Sequence, residues 1–256
     1  VQSVCLRLIV EREMEIEAFR AQEYWTVAAK LATPRGQEYD ARLTVLGGKK
    51  LDKFDIPTTE AAELAVQAVT SRDLKVAPVE AKPATRNPSA PFMTSTLQQE
   101  ASRKFGMGAR QTMSAAQRLY EAGHITYMRT DSVNLAAEAV SANRDLIGRL
   151  YGPESVPAEP HTFRHSARNA HEPHAAIQPP AANRRPQDVA GFLDDDGLRL
   201  YELIWKRTVA SAMKAAGMEQ VGIDVATADN ATVLRATGSI VVFDGFLKLY
   251  QEDRDD

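Results

Sequence analysis

Apolar residues recur three and four positions apart in six stretches of the chain, which is the spacing of an amphipathic helix. The six stretches are VQSVCLRLIVEREMEIEAF (1–19), TEAAELAVQAVTS (59–71), TSTLQQEASRKFG (94–106), QTMSAAQRLYEAG (111–123), VNLAAEAVSANRDLIGRLYG (133–152) and DGLRLYELIWKRTVASAM (196–213). Ser3 is expected to cap the first helix, and Thr94 or Ser95 the third. Gly106 and Gly123 are expected to end the third and the fourth.

Aromatic and β-branched residues are concentrated outside these helices, in segments that predict β-strands. YWTVAAKLA and YDARLTVLGGKKL are separated by the turn-forming TPRGQ (33–37), which indicates a hairpin. KVAPVEAK (75–82) predicts another short strand, and VGIDVATADNATVLRATGSIVV (221–242) predicts two strands around an Asp-Asn turn. These segments flank a helical middle that begins after AKPATRNPSAP (81–91), whose three prolines indicate a domain boundary. We therefore expect an α+β chain with a helical domain inserted into a β-rich one.

The helical middle has the element order of a winged helix-turn-helix, a fold often found on nucleic acid. Two helices joined by a short glycine-containing turn are followed by HITYMRT (124–130), which is expected to be extended. The same order also occurs in purely structural domains. Asp131 or Ser132 is expected to cap the next helix. The proline-rich stretch 152–188 then predicts a long irregular segment.

Composition and charge narrow the class of protein. Hydrophobic residues make up 44% of the chain and charged residues 25%, which is typical of a globular protein. No apolar run approaches the ~20 residues that a membrane span requires. The net charge of −3 argues against indiscriminate binding of nucleic acid over the whole surface. Basic residues are instead concentrated at 161–185, where four arginines and four histidines accompany a single acid, Glu172.

The expected compartment follows from the cysteine content. The single cysteine, Cys5, cannot form an intramolecular disulfide and fits a reducing environment, so a cytoplasmic protein is expected. The chain starts without methionine and directly in a helical pattern, which is expected of a piece of a longer protein.

In HITYMRTDS (124–132), an extended backbone would place Tyr127, Arg129 and Asp131 on one face and Met128 on the other. A tyrosine phenol ordinarily has a pKa of about 10, but a neighbouring guanidinium favours the phenolate and binds phosphate oxygens. This combination suits attack on a phosphodiester. Asp131 could pair with Arg129 and orient it, or cap the following helix. A packed ring beside a solvated arginine is the structural alternative, and spacing alone does not exclude it.

Further motifs accompany this segment. HITYMRTDS is preceded by PFMTSTLQQEASRKFG and QRLYEAGHI, and the other motifs are VQSVCLRLIVERE, HEPHAAIQPP, LYELIWKRTVASAM and FDGFLKLY. Over essentially the entire chain, the sequence resembles type IA DNA topoisomerases of the bacterial topoisomerase I kind. The resemblance implies ATP-independent relaxation of negatively supercoiled DNA by transient cleavage of one strand, strand passage and religation. It implies that Tyr127 forms a 5′-phosphotyrosine, that Arg129 positions the scissile phosphate, and that His174 contacts phosphate or assists cleavage.

The resemblance also assigns the parts of the chain. Residues 1–21 resemble a short helical segment of the domain that contacts the catalytic core, and residues 22–86 with 214–256 resemble a discontinuous β-rich arch. Residues 87–213 resemble the catalytic tyrosine domain, which is mainly helical and winged-helix-like (CAP-like). The expected DNA contacts are Gln2, Thr126, Thr130, Asp131, Arg164 and Arg168.

The family's Toprim domain, whose acidic residues bind Mg²⁺, has no counterpart in this sequence. The chain alone is therefore expected to be inactive in relaxation, and its expected partners are that missing domain and single-stranded segments of supercoiled DNA. No nucleotide-binding P-loop or G-x-G-x-x-G motif is present, in agreement with ATP independence. Ala175 and Gln178 replace an acid and an arginine that are common in the family, so contacts made there are in doubt.

No metal is expected to bind to this chain itself. His161, His165, His171 and His174 lie close in sequence, but structural zinc usually recruits thiolates as well. The acids of DDDG (194–197) are expected to cap a helix rather than to hold magnesium.

Two other classes of function remain open. One is a non-catalytic winged-helix module that binds DNA, in which the Tyr127 ring packs; the other is a structural interaction fragment. Exposure of the phenol distinguishes catalysis from packing, and DNA affinity that falls steeply with salt would exclude the structural fragment. Trp25 and Trp205 are both expected to pack inside patterned elements.

Overall fold

The computed structural model describes residues 2–163 and 175–252. Within these residues the helices are α1 (Gln2–Ala18), α2 (Thr59–Thr70), α3 (Thr94–Phe105), α4 (Ala109–Glu121), α5 (Ala137–Tyr151), α6 (Pro186–Val189) and α7 (Asp195–Ser211). The strands are β1 (Ala28–Ala32), β2 (Glu38–Leu46), β3 (Lys49–Lys50), β4 (Lys75–Val76), β5 (Glu80–Arg86), β6 (Ala216–Ala226) and β7 (Thr232–Phe243). None of the helices in these two ranges is long and apolar enough to cross a membrane.

The contacts within the chain divide it into two compact units. The first, called here the sheet unit, comprises Val1–Lys82 and Gln220–Ser239. The second, the helical unit, comprises Pro83–Glu219 and Ile240–Asp256. Each unit has its own cluster of buried apolar side chains. The α+β class expected from the sequence is therefore correct.

Helix α2 and the sheet form the core of the sheet unit. The strand order is β1-β2-β7-β6-β4, with β3 on β2 and β5 on β6. β1 and β2 pair in antiparallel register along the whole of β1, which confirms the predicted hairpin. Thr58 caps α2 by accepting a hydrogen bond from the Ala61 amide at 3.3 Å. The buried side chains of this core include Ala62, Ala65, Val69, Val225 and Leu234.

Helices α3, α4 and α7 form the centre of the helical unit. Asp194 caps α7 by accepting a hydrogen bond from the Gly197 amide at 2.7 Å, so the DDDG acids open a helix as predicted. Gly106 ends α3 with a left-handed φ of 67°. The α7 side chains of Leu200, Leu203, Ile204 and Val209 are all buried.

The predicted N-terminal caps of α1 and α3 are wrong. Ser3 lies inside α1, whose side chains are all exposed, so it does not cap that helix. α3 begins at Thr94 itself, after Met93 as the cap residue, so neither Thr94 nor Ser95 is the cap. The reason at α3 is tertiary, because the Thr94 hydroxyl is used to bind another segment of the chain.

The start of α5 was also predicted wrongly. Neither Asp131 nor Ser132 caps it, because the helix begins only at Ala137. The Ser132 amide donates to the Thr130 hydroxyl at 3.0 Å, and the Asn134 amide donates to the Ser132 hydroxyl at 3.1 Å. These local turns give the backbone an alternative to the helical hydrogen bonds, which delays the helix.

Three further expectations require correction. Residues 124–130 form no strand, so α3 and α4 are not followed by the strand of a winged helix at that position. A strand needs a ladder of neighbouring backbone bonds, whereas this segment is held by isolated contacts to the start of α3 and to Gln178. β5 extends to Arg86, so half of residues 81–91 is strand and not a connecting segment, although the division between the two units, at Lys82 and Pro83, does fall within this stretch. Trp205 is buried as predicted, but Trp25 is 39% exposed.

Candidate active site

Thr94, the first residue of α3, fixes the segment around Tyr127 on one side. Its amide donates to the Thr130 carbonyl oxygen at 2.9 Å, and the Thr130 amide donates to the Thr94 hydroxyl oxygen at 2.9 Å. The Thr94 hydroxyl lies 2.8 Å from the carbonyl oxygen of Met128 and 3.0 Å from that of Thr130. The two neighbours of Arg129 are thus bound to the start of α3.

A second threonine fixes the other side of the segment. The Thr126 amide donates to the Gln178 carbonyl oxygen at 2.9 Å, and the Gln178 amide donates to the Thr126 hydroxyl oxygen at 3.0 Å. The Thr126 hydroxyl donates to the Ala176 carbonyl oxygen at 2.7 Å. The residue that precedes Tyr127 is therefore bound to residues 176–178.

Residues 176–178 are supported in turn by the loop before α3. The Ile177 amide donates to the Phe92 carbonyl oxygen at 2.8 Å. The guanidinium of Arg207 lies 4.8 Å from the centre of the Phe92 ring, and its Nε donates to the Ala90 carbonyl oxygen at 2.6 Å. Arg207 is buried and pairs with the carboxylate of Glu252. Arg207, a buried residue of α7 whose charge is paired with Glu252, therefore anchors the framework behind the segment.

Between the contacts made by Thr94 and Thr126, buried and exposed side chains alternate along the segment. Met128 is 1% exposed and Thr130 is buried, whereas Tyr127 is 45% exposed. Arg129 and Asp131 are also exposed. Tyr127 and Arg129 are therefore presented to solvent together while Met128 fills the core, which is the alternation that the sequence predicted for an extended backbone.

The Tyr127 ring packs against a second tyrosine and remains partly exposed to solvent. The ring of Tyr120, on α4, contacts it edge to face, with 5.3 Å between the ring centres and an angle of 65° between the planes. This geometry is favourable for two aromatic rings. The contact orients the ring, and it leaves the residue as a whole accessible to a substrate.

An open pocket of about 460 Å³ lies beside Arg129. Arg129 and Asp131 both line it, but no ion pair joins them, and neither has a hydrogen-bonding partner in the part of the chain that the structure describes. The first turn of α3 forms the opposite wall with Ser95, and the amides of a helix N-terminus carry partial positive charge. The pocket thus combines a guanidinium with a helix N-terminus, which suits an anion such as phosphate.

Comparison with known proteins identifies the family. A model of the DNA topoisomerase family matches residues 1–256 of the chain. The chain belongs to the DNA topoisomerase family. A DNA topoisomerase 1 of Xylella fastidiosa (strain Temecula1) is 47% identical over 267 residues, which cover 100% of this chain and 32% of the relative. A DNA topoisomerase 1 of Rickettsia bellii is 42% identical over 264 residues, covering 100% of this chain and 33% of the relative.

A solved structure agrees with these relatives. The full-length topoisomerase I of Thermotoga maritima has a TM-score of 0.76 and 31% identity to this protein, and the match covers 99% of this chain and 40% of that one. The resemblance to bacterial type IA topoisomerases is therefore confirmed, and with it an ATP-independent family. The chain spans about a third of the length of the curated relatives it matches.

The structure brings part of the predicted topoisomerase site together. Tyr127, Arg129 and Asp131 are adjacent and exposed, while the hydroxyls of Thr126 and Thr130 are engaged within the chain. Gln2 lies on α1, in the sheet unit. His174, Arg164 and Arg168 lie outside the described residues. The roles of all these residues in binding or cleaving DNA remain predictions.

A polar network beneath the segment was not predicted from the sequence. His124 is buried, and its Nδ1 lies 3.1 Å from a guanidinium nitrogen of Arg184, which also donates to the Gly123 carbonyl oxygen at 3.2 Å. Burial lowers the pKa of His124, and the neighbouring Arg184 lowers it further. Tyr201 donates to the Arg184 carbonyl oxygen at 2.7 Å, and burial raises the pKa of Tyr201 to about 12. The sequence feature that could have indicated this network is the position of His124, directly after the glycine at the end of α4.

A metal site does not form within the described residues. Among residues 2–163 and 175–252, no group of three or more His, Cys, Asp or Glu side chains could hold an ion. The His161 ring is engaged with the carbonyl oxygen of Met213 at 2.9 Å. The other three histidines considered for zinc lie in the range that is not described. The side chains of residues 2–163 and 175–252 thus do not form a magnesium site.

Proposed function

We propose that this chain carries the nucleophile of an ATP-independent type IA DNA topoisomerase that relaxes negatively supercoiled DNA. The observation that carries the proposal is the joint exposure of the Tyr127 phenol and the Arg129 guanidinium on a segment whose buried neighbours are fixed. This exposure argues against the alternative of a non-catalytic module, in which the tyrosine ring would be packed.

The proposed reaction is a transesterification at one phosphodiester. The Tyr127 phenol loses its proton and its oxygen bonds to phosphorus, while the bond from phosphorus to the 3′ oxygen breaks and that oxygen takes up a proton. The product is a 5′-phosphotyrosine and a free 3′-hydroxyl. Attack by that hydroxyl reverses the step and releases the tyrosine, so the ester energy is kept and no ATP is needed.

Arg129 has the proposed role of holding the scissile phosphate. Its guanidinium lines the pocket at the start of α3, where two non-bridging oxygens can accept a bidentate pair of hydrogen bonds. The charge also stabilises the transition state. His174 is proposed to assist through a contact with phosphate, and the exposed Asp131 to contact the DNA beside Arg129. Gln2, Arg164 and Arg168 are proposed as DNA backbone contacts.

The domain assignment is part of the proposal. Residues 87–213 are proposed to be the catalytic tyrosine domain with helix-turn-helix character, and residues 22–86 with 214–256 the β-rich arch into which it is inserted. Residues 1–21 are proposed to join the domain that contacts the catalytic core. The helical content of 94–151 and the strands on either side of the helical middle support this reading.

The partners and cofactor are proposed for a longer polypeptide. Single-stranded segments of supercoiled DNA are the substrate, and a Toprim domain outside this chain supplies the ligands for Mg²⁺. The chain alone is expected not to relax supercoils. The proposed location is the cytoplasm, at the nucleoid.

Covalent trapping in a polypeptide that includes this chain and the Toprim domain tests the proposal. Tyr127→Phe is expected to abolish the denaturant-stable protein–DNA adduct and to leave DNA affinity within about threefold, because only the nucleophilic oxygen is removed. Arg129→Lys is expected to reduce adduct formation by at least about a hundredfold, because an ammonium cannot form the bidentate contact. Tyr120→Phe is the matched control and should retain the adduct. An adduct formed by Tyr127→Phe would remove this tyrosine from the reaction.

A further inference from the structure

Tyr120, on α4, is in ring contact with the candidate nucleophile. Its ring centre lies 5.3 Å from that of Tyr127, and the two ring planes are inclined at 65°. Within residues 2–163 and 175–252, no other aromatic ring packs against Tyr127, and no hydrogen bond fixes its hydroxyl. Tyr120 is therefore placed to limit how the Tyr127 ring turns.

The end of α4 holds Tyr120 on a fixed backbone. Ala116 and Leu119, which precede Tyr120 on this helix, are both buried in the core of the helical unit. The Gly123 amide donates to the Tyr120 carbonyl oxygen at 2.9 Å. The His124 amide donates to the Leu119 carbonyl oxygen at 2.8 Å. Packing and hydrogen bonds thus immobilise the backbone from which the Tyr120 ring projects.

The remaining freedom of Tyr127 lies in its side-chain torsions, because the backbone on either side of it is bound. Thr126 is bound to Ala176, and Met128 is bound to Thr94. A tyrosine side chain turns about two torsions, and an exposed ring can occupy several staggered rotamers, each of which places the phenol oxygen differently. An attacking atom must come within about 3–3.5 Å of its target, so most of these orientations are unreactive.

We propose that Tyr120 is a positioning residue, whose ring holds the Tyr127 ring in the orientation that attacks the phosphate at Arg129. The inference deepens the proposed function and rests on it, since that function makes Tyr127 the nucleophile. The ring and not the hydroxyl of Tyr120 supplies the contact, because this hydroxyl forms no hydrogen bond within the described residues. Such a ring pair favours the contacting orientation by about two- to twelvefold.

Single-turnover cleavage tests the role in the polypeptide that includes this chain and the Toprim domain. Tyr120→Leu removes the ring and keeps an apolar, helix-favouring side chain. The rate of adduct formation should fall by about two- to twelvefold, because the Tyr127 ring is in the reactive orientation for less of the time. DNA affinity should be unchanged, since the pocket at Arg129 is intact. Tyr120→Phe keeps the ring and should retain the rate of the original protein.

A fluorine label at position 127 reports the ring contact without DNA, in the 256-residue chain. When 3-fluorotyrosine is incorporated there, the neighbouring Tyr120 ring should displace the fluorine resonance from that of the free amino acid, because an aromatic ring current shifts nearby nuclei. Tyr120→Leu should move the resonance towards the free value, and Tyr120→Phe should leave it displaced. An unchanged resonance in Tyr120→Leu would overturn the inference.

Two further variants separate the ring contact from a general loss of structure. Phe192→Leu is the matched control, because Phe192 is 80% exposed and packs against no aromatic ring of the described residues. It should alter neither the resonance at position 127 nor the rate. Tyr120→Gln, a second helix-favouring side chain without a ring, should show the same loss of rate as Tyr120→Leu. Tyr120 is 40% exposed, so the melting profiles of both Tyr120 variants should match that of the original protein.

The outcomes distinguish this inference from the proposed function. If the original longer polypeptide forms no adduct at Tyr127, the proposed function fails, whatever the fluorine resonance shows. If the adduct forms equally fast with and without the Tyr120 ring, only the positioning role fails. A loss of DNA affinity at an unchanged rate would make Tyr120 a DNA contact, and would also overturn the positioning role.

Discussion

Two threonine hydroxyls determine how Tyr127 and Arg129 are presented. Thr94 binds the backbone on both sides of Arg129, and Thr126, which precedes Tyr127, binds the backbone of Ala176 and Gln178. From the sequence, Thr94 was expected to cap a helix and Thr126 to contact DNA. In the structure, both hydroxyls form hydrogen bonds within the chain. The structure therefore indicates that they position the backbone from which Tyr127 and Arg129 project, and a fixed backbone would lower the cost of orienting these two side chains in the proposed reaction.

Removing the Thr94 hydroxyl should loosen this arrangement. Thr94→Val keeps the shape but leaves the Thr130 amide without its acceptor, so the free energy of unfolding should fall by about 1–3 kcal/mol. Urea unfolding measures this change. Thr70→Val, at the exposed end of α2, is the control and should change stability by less than about 0.5 kcal/mol. A Thr94→Val protein as stable as the original would show that the hydroxyl does not hold the segment.

His124 should make stability depend on pH. Its pKa in the folded protein is lowered from 6.5, mainly by burial and then by Arg184, so the unfolded chain binds the proton more tightly. The stabilising contribution of the neutral ring is complete above the unfolded pKa and is lost as the pH falls through the lowered folded pKa. Between about pH 7.5 and about pH 5 the free energy of unfolding should therefore fall less in His124→Gln than in the original protein. Parallel pH profiles for the two proteins would contradict this role.

At the scale of elements, helix ends show where local sequence was sufficient. Thr58 and Asp194 cap the starts of α2 and α7, and Gly106 ends α3, as their residue types predict. Asp131 and Ser132 are equally good caps by type, but α5 begins five residues after Ser132. The hydroxyls of Thr130 and Ser132 form turns there, because Thr94 already fixes the preceding backbone.

Gly106 and Gly108, two glycines after α3, allow a matched test of backbone strain. Gly106 has a φ of 67°, whereas Gly108 does not have a positive φ, and a Cβ at either position would meet no atom within 4 Å. Gly106→Ala should therefore lower the free energy of unfolding by about 1–2 kcal/mol through backbone strain alone, and Gly108→Ala by clearly less. Thermal unfolding of the two variants measures the difference. Equal melting temperatures would show that the left-handed end of α3 is not what requires the glycine.

At the scale of the whole molecule, two separate apolar cores support the two units. Leu234 belongs to the core of the sheet unit and Leu200 to that of the helical unit, and both are fully buried. Neither the sheet unit nor the helical unit is continuous in sequence, since each contains two segments of the chain. The stability of each unit therefore depends on contacts between residues that are far apart along the chain.

A substitution that creates a cavity in one core should destabilise that unit more than the other. Leu234→Ala is expected to lower the free energy of opening in the sheet unit by about 2–5 kcal/mol, and Leu200→Ala to do the same in the helical unit. Amide hydrogen exchange reports this locally. Leu234→Ala should reduce protection in α2 more than in α4, and Leu200→Ala should do the reverse. Equal losses in both helices from either variant would mean that the two cores open as one.

The sequence by itself determined the helices with strong apolar spacing, the β1–β2 hairpin, the α+β class and, through its motifs, the family and the candidate pair Tyr127 and Arg129. These features depend on local backbone preferences and on residue types, which one chain segment carries alone. Only the tertiary structure decided how that pair is presented. The contacts of Thr94, Thr126 and Gln178 join segments that are far apart in the chain, and no local pattern specifies which distant partner a hydroxyl or an amide will find. The network of His124 arises from packing in the same way.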